Sequence, residues 1–320
     1  MTSALITGIT GQDGSYLAEA LLARGWQLHA LVRPGTHPVD EQPVGAGIVV
    51  HEGDLSDPAS IRAAVAAAEP DVIFNLAGIS SVARSWNEPV ETSLVTGTAV
   101  AAVLDAAQRR QDASGHPVRV VQASSAEIFG DPATVPQDES TAIAPISPYG
   151  AAKAYAHLLV GAYRRRGMHA SAAILYNHES PRRPPAFVTR KITQTVARIA
   201  RGQAGELVLG SLDARRDWGW APDYVEALIR MAEQDEPGDY VVATGESHSV
   251  GDFVAAAFAA AGIDDWQDLV RSDPAFIRPV ESAELVGDAT RAREVLGWAP
   301  TRTFPGVVAA MVEHDLALLA

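Results

Sequence analysis

The feature that most restricts the fold lies within the first fourteen residues. Ala4-Leu5-Ile6 reads as a short buried strand, and Gly8-Ile9-Thr10-Gly11-Gln12-Asp13-Gly14 follows it directly. A helix is predicted from about Asp13 to Ala23. Glycines let the backbone turn tightly and come close to a pyrophosphate, which then faces the helix N-terminus. Glycines alone also mark plain turns. A strand before them and a helix after them are what make this stretch read as a dinucleotide turn.

The rest of the first half repeats that pattern. Strands are predicted at Leu28 to Val32, Ile48 to Val50, Asp71 to Asn75, Val118 to Gln122 and Ala172 to Tyr176, with Ala/Leu-rich helical segments between them. Continuous apolar runs are typical of buried parallel strands, and alternation with helices predicts a doubly wound parallel sheet of the α/β class. The pattern changes after about residue 177. Glu179-Ser180-Pro181-Arg182-Arg183-Pro184-Pro185 cannot be regular helix or central strand. Beyond it come a helix near Val188 to Arg201, a strand at Glu206 to Leu209, a helix near Tyr224 to Glu233 and a last helix from Pro305 to Leu319. Val241 to Thr244 could rejoin the main sheet. The expected division is a dinucleotide-binding domain over 1–177 and a smaller α/β substrate lobe over 178–320, with the chain partly returning to the first domain near 210–250. Residues 34–47, rich in Pro and Gly, read as a surface loop.

Composition narrows the possible partners. The 320 residues hold 25 Lys+Arg against 39 Asp+Glu, a net charge of −14. That balance argues against a nucleic-acid groove, which needs clustered cations, but leaves room for a local pocket that takes a small anion. With no cysteine there is no disulfide, thiolate nucleophile or Cys-based metal site, and no metal is expected. The N-terminus lacks a signal-peptide pattern, and no run approaches the ~20 apolar residues of a membrane span. A cytoplasmic protein with no membrane partner is the expectation.

Cofactor choice is read at the end of the second strand. Val32-Arg33-Pro34-Gly35 has no acid before Asp40, and an Arg in that place suits the extra phosphate of NADP, where an acid would suit NAD. An exposed Arg at a strand end is the plain alternative. Asp54, followed by Leu55, ends the third strand and could hold the adenine amino group, or could cap the helix before Pro58.

A second constellation follows Ser147-Pro148. Tyr149 and Lys153 are four apart, so they share one helix face. A Lys ammonium beside a Tyr is expected to lower the phenol's pKa toward working pH. The pair alone arises often by chance; together with the glycine turn it points to a short-chain dehydrogenase/reductase. Upstream, Ala123-Ser124-Ser125-Ala126-Glu127 lies at the end of a predicted parallel strand, where ligands sit in such sheets. Ser125 could donate to a substrate oxygen beside Tyr149, while Ser124 is expected only to cap the turn. Simple alcohol oxidation needs no carboxylate at Glu127, but removing a C–H proton next to a ketone does. A solvated loop charge is the alternative for Glu127.

At these residues the chain resembles a particular family. The run Gly8 to Leu17, Asn177-His178-Glu179-Ser180-Pro181-Arg182-Arg183, Phe187 to Ile192, Arg216-Asp217-Trp218-Gly219, Asp223 to Ala227, Gln234 to Pro237 and Arg278-Pro279 resemble the GDP-mannose 4,6-dehydratase family, a branch of the extended short-chain dehydrogenases/reductases with a Rossmann-type fold. The order of motifs is kept from the first strand nearly to the C-terminus. The resemblance implies catalytic roles for Ser125, Glu127, Tyr149 and Lys153, with Ser125 in place of a Thr. It implies NADP contacts at Gly8, Thr10, Gly11, Gln12, Asp13, Gly14, Arg33, Asp54, Leu55, Leu76, Ala77, Gly78, Ser80, Tyr149, Lys153, His178 and Arg183. It implies a GDP-sugar held by Ser80, Ser125, Asn177, Val188, Lys191, Gly210, Ser211, Arg216, Arg278 and Glu281. Arg and Lys in the last group suit a diphosphate.

The chain departs from the family pattern at four further positions: Ala126 for Ser, Pro34 for Arg, Glu91 for Tyr and Ser211 for Asn. The loops 34–47 and 262–276 look short for the family. A homodimer through the helices near Leu94 to Gln108 and Tyr149 to Arg164 is implied, with a tetramer also open. The implied reaction is redox-neutral dehydration of GDP-mannose to GDP-4-keto-6-deoxymannose. A related sugar such as GDP-manno-heptose, a nucleotide-sugar 4-epimerase or 4-ketoreductase, and a non-catalytic NADP-binding protein are the alternatives.

Overall fold

The computed structural model describes residues 1–35, 47–273 and 284–320. Seven strands form one parallel sheet: β1 (Ser3–Thr7), β2 (Gln27–Val32), β3 (Ile48–Glu52), β4 (Val72–Asn75), β5 (Arg119–Ala123), β6 (Ala170–Leu175) and β11 (Asp239–Val242), in the order β11-β6-β5-β4-β1-β2-β3. β1 is wholly buried, and so are β4 and β6. This explains their unbroken apolar runs, since helices cover both faces. The order reverses at β1, which pairs with β2 on one side and β4 on the other. The ends of β1 and β4 therefore diverge into a crevice, the usual ligand position of such sheets.

Two apolar layers flank the sheet. On one face α1 (Gln12–Ala23) and α8 (Ala221–Glu233) pack against Ile6, Phe74, Val121 and Ile174. On the other, α2 (Pro58–Ala68), α5 (Ala99–Ser114) and α6 (Pro148–Arg165) cover Leu5, Ile73 and Val120. The strand predicted to rejoin the sheet does so, two residues earlier than expected: β11 pairs in parallel with β6, Asp239 opposite Ala172. A third apolar cluster joins α7 (Val188–Ala200), α9 (Val250–Ala260) and α11 (Phe304–Leu318) around Trp218, Phe253 and Met311. It also takes in β8 (Leu207–Leu209), which pairs with β13 (Val270–Ser272). Between these elements run β7 (Asn177–Glu179), β9 (Arg215–Arg216), β10 (Trp218–Trp220) and β12 (His248–Ser249).

Glu179 ends the short strand β7, paired with Trp220 of β10 in a two-stranded sheet, so the segment Glu179 to Pro185 is neither helix nor central strand, as expected. The expectation that no run approaches spanning length is corrected. The continuous helical run Pro89–Ser114, comprising α4 (Pro89–Thr92), a wider-wound segment over 93–98 and α5, is long and apolar enough to cross a membrane, and it is the one such run among the described residues. Its apolar 18-residue window is 56% buried in the protein, with Val100, Val103 and Leu104 facing the sheet. A core helix of a soluble protein has the same composition.

Candidate active site

The glycine turn splits its work among three residues. Gly8 has φ +78°, and a side chain there would meet the Ala77 backbone nitrogen at 2.8 Å. Gly14 lets α1 lie on the turn, because a Cβ would sit 2.2 Å from the Gly8 carbonyl oxygen. Gly11 is different: it precedes α1, is exposed, and no side chain caps the helix. That open, uncapped N-terminus fits a diphosphate. Thr10 lies beside it, half-buried.

Gln12 and Asp13 extend the turn toward the segment after β6. Gln12 Nε2 donates to the His178 carbonyl (3.1 Å), and Ser180 Oγ donates to Gln12 Oε1 (2.8 Å). Asp13 Oδ2 lies 2.9 Å from His178 Nε2, whose Nδ1 donates to the Tyr176 carbonyl (2.7 Å). Burial opposes the charge on His178, but the Asp13 carboxylate outweighs it and the imidazole pKa is raised. Asp13 is lowered for the reciprocal reason: His178's charge and hydrogen bond overcome its own desolvation. Both side chains named for the cofactor thus also clamp the two halves of the crevice. Arg183 lies 3.2 Å from buried Glu179 and stacks 3.7 Å over Phe187, which precedes α7.

At the other cofactor positions the structure is specific. Arg33 is exposed at the end of β2, and its charge contributes to lowering the Asp54 pKa after the larger effect of Ser56. Asp54 accepts from Ser56 N (2.8 Å) and Ser56 Oγ (2.7 Å). It does not cap α2: that alternative is corrected, because Asp57 does so through Ala59 N at 2.9 Å. Leu55 packs on the second apolar layer. Leu76 and Ala77 are half-buried after β4, while Gly78 and Ser80 are exposed.

The four catalytic candidates come from two elements. α6 starts at Pro148, with Ser147 capping it through Gly150 N at 3.0 Å. Tyr149 and Lys153 lie one turn apart and both are buried. Ser125 precedes the short helical turn Ala126–Ile128, accepts from Glu127 N at 3.3 Å and lies near enough to the Tyr149 phenol to lower its pKa. The Glu127 carboxylate acts on the phenol's charge, so it belongs to the same cluster. Roles for the paired serines are reversed from expectation in one respect. Ser125 does the capping, whereas Ser124 Oγ is buried without a hydrogen-bond partner among the described residues.

The expected phenolate is corrected. Tyr149 is pushed up to about 12, first by burial, then by the nearby negative charges of Glu127 and Asp13; Ser125 and Arg183 oppose this only in part. Lys153 Nζ does not bond the phenol. It donates to the Ala123 carbonyl (2.7 Å) and lies 5.8 Å from the Tyr149 ring centre. Burial brings Lys153 down to about 8, against the pull of Asp13. Sequence reading also missed Ser85, which is buried and accepts from Tyr149 N at 3.2 Å, anchoring the start of α6. Its signal, a Ser inside a surface-looking segment, could not be read without the contact.

The nucleotide candidates sit after β6 and on the second lobe. Asn177 opens β7, Val188 and Lys191 lie in the first turns of α7, and Gly210 and Ser211 follow β8. Arg216 is buried in β9 opposite His248. Glu91, one of the departures, forms an exposed ion pair with Arg84 at 3.6 Å. Arg278 and Glu281 lie outside the described residues.

Comparison with known proteins shows the family. The family model for GDP-mannose 4,6 dehydratase matches residues 5–311. GDP-mannose 4,6 dehydratase 1 of Arabidopsis thaliana is 44% identical, covering 98% of this chain and 90% of its own. The GDP-mannose 4,6-dehydratase of Yersinia enterocolitica is 40% identical over 99% of this chain and 94% of its own. Among solved structures, the UDP-glucose 4-epimerase of Thermus thermophilus in complex with NAD superposes with a TM-score of 0.85 at 26% identity, covering 98% of each chain. From its glycine turn to its last helix, the chain belongs to the GDP-mannose 4,6-dehydratase family.

Proposed function

We propose that the chain catalyses the redox-neutral 4,6-dehydration of GDP-mannose to GDP-4-keto-6-deoxymannose with NADP as its cofactor. The observation that carries the reading is the cluster at the strand end facing the crevice: the Glu127 carboxylate acts on the charge of the Tyr149 phenol, and the Ser125 hydroxyl, held by the Glu127 backbone N–H, lies beside that phenol. An alcohol dehydrogenase has no use for that carboxylate.

Tyr149 takes the proton from the sugar 4-hydroxyl, and Ser125 orients the 4-oxygen. When bound, NADP would supply hydride chemistry, accepting from C4 and returning to C6. A ketone at C4 acidifies the C5–H bond, so Glu127 can remove that proton. The same carboxyl returns it to the departing 6-hydroxyl, which leaves as water. The proton taken from O4 balances reprotonation of C5. Burial holds the Tyr149 phenol up at about 12, and the Lys153 ammonium, charged below about 8, would supply positive charge to oppose that during the proton transfer. Positioned acid–base groups of this kind contribute about 10²–10⁴-fold each.

Glycines 8, 11 and 14 with Thr10, Gln12 and Asp13 would hold the pyrophosphate end of the cofactor, Arg33, Asp54 and Leu55 the adenosine end, and Leu76, Ala77, Gly78, Ser80, His178 and Arg183 the remainder. Asn177, Val188, Lys191, Gly210, Ser211 and Arg216, with Arg278 and Glu281, would hold the GDP part. The division into lobes at residue 177, a homodimer and a cytoplasmic location belong to the same reading.

Glu127→Gln is the test. With GDP-mannose in D₂O, we expect turnover to fall at least about 10²-fold, with loss of deuterium uptake at C5. Full turnover by this variant would remove Glu127 from the mechanism, and a product that keeps its 6-hydroxyl would favour a 4-epimerase.

A further inference from the structure

Three of the polar side chains buried in the sheet stand side by side. Thr7, Asn75 and Gln122 are 1%, 2% and 1% exposed. They are opposite one another in the register of β1, β4 and β5, at the last paired row of each contact. Their hydrogen bonds run in one direction. Thr7 Oγ1 donates to Asn75 Oδ1 (2.6 Å), Asn75 Nδ2 to Gln122 Oε1 (2.6 Å), and Gln122 Nε2 to the Ala123 carbonyl (2.8 Å). At the near end Thr7 Oγ1 accepts from Ala77 N (3.2 Å), in the loop after β4. At the far end the Ala123 carbonyl also accepts from Lys153 Nζ (2.7 Å). A carbonyl oxygen has two lone pairs, and here both are used.

We propose that the Thr7–Asn75–Gln122 row is a positioning device for Lys153, holding the Ala123 carbonyl to which the lysine is bound and tying it to the loop at Ala77. Beyond the last paired row the backbone ladder no longer fixes this peptide from the β4 side. The amide side chains take over that work. Bonds aligned head to tail polarise one another, so the row is stiffer than its separate members. Three buried polar groups are tolerated because each is satisfied. None of them touches the reacting atoms in the proposed mechanism; they act through the lysine. Asp13 from α1, Glu127 from the turn after β5, Tyr149 from α6, and His178 and Arg183 from the segment after β6 supply the charges around this end of the sheet, and none belongs to the row.

The chain contains only two lysines, Lys153 and Lys191, so its side-chain lysine spectrum is simple. Protein labelled with ¹³C at lysine Cε gives two resonances, and Lys191→Arg assigns them. Without cofactor or substrate, the wild-type Lys153 resonance is expected to titrate at about 8. Gln122→Met frees the carbonyl, so the buried ammonium loses its fixed acceptor, and we expect the midpoint to fall by about half a unit or more. Thr7→Val shifts it the same way by less, and Thr7→Ser restores it. A Lys153 midpoint unmoved by folded Gln122→Met overturns the proposal. If that variant does not fold, an unmoved midpoint in Thr7→Val does so. The lysine's catalytic role, on which the functional consequence rests, is read separately. We expect kcat to fall about tenfold in Gln122→Met with KM for GDP-mannose little changed. A shifted midpoint with unchanged kcat keeps the row and removes Lys153 from the rate-determining chemistry.

Discussion

His178 is held by two acceptors, the Asp13 carboxylate and the Tyr176 carbonyl, and stacks on buried Tyr224 at 4.5 Å. Its raised pKa means that its contribution to stability is complete below the ordinary histidine value of 6.5 and is lost as pH rises through the folded value. Asp13 is lowered, so its contribution is complete above 3.8 and is lost as pH falls through its folded value. The pair therefore stabilises most between those limits. We expect His178→Gln to remove the alkaline loss from a plot of unfolding free energy against pH, measured by urea titration. An unchanged alkaline limb would show that the imidazole carries no charge in the folded protein. Tyr149 belongs to the same scale. Because Glu127's charge pushes its phenol up, Glu127→Gln is expected to lower the Tyr149 pKa even as it abolishes turnover.

Helix starts carry much of the site. α1 begins without a side-chain cap and α6 begins with one, and each difference matches its use. α1's free N–H groups face the crevice, while Ser147 locks α6 so that Tyr149 enters at a fixed angle. Ser147→Ala is expected to cost about 1 kcal/mol in denaturant unfolding, with a larger loss in kcat than in cofactor affinity because Tyr149 sits in the first turn. Gly14→Ala is a harsher change. Its Cβ would have to displace the Gly8 carbonyl, 2.2 Å away, so α1 must move off the turn. We expect loss of NADP binding by calorimetry before any loss of secondary structure.

On the scale of the whole molecule, exposed apolar side chains gather on neighbouring helices. Trp86 on α3 (Val82–Asn87), Val90, Leu94, Tyr155 and Leu158 are each at least 44% exposed, and α6 lies against the segment 93–98. A patch of this kind on a soluble protein marks a contact surface, which supports the proposed homodimer. Leu158→Glu is expected to shift the protein to monomer in light scattering, and a monomeric wild type would end the proposal. The seven strands, their helices and the proposed Tyr149–Lys153 pair were legible in the chain because period and spacing are local properties: apolar runs, a glycine turn, and a Tyr and Lys one helical turn apart. Arg33 and Glu127 were proposed from chemistry alone. The polar row was not, since Thr7, Asn75 and Gln122 are separated by 68 and 47 residues and meet only through strand register. Nor was the state of Tyr149 legible. Spacing put a lysine beside it, but burial and the carbonyl of Ala123 decided where that lysine's proton points. The sequence determined which groups the crevice would contain, through short-range pattern. Only the tertiary structure decided which of them touch and how readily each holds its proton, because desolvation and register are set by residues far away along the chain.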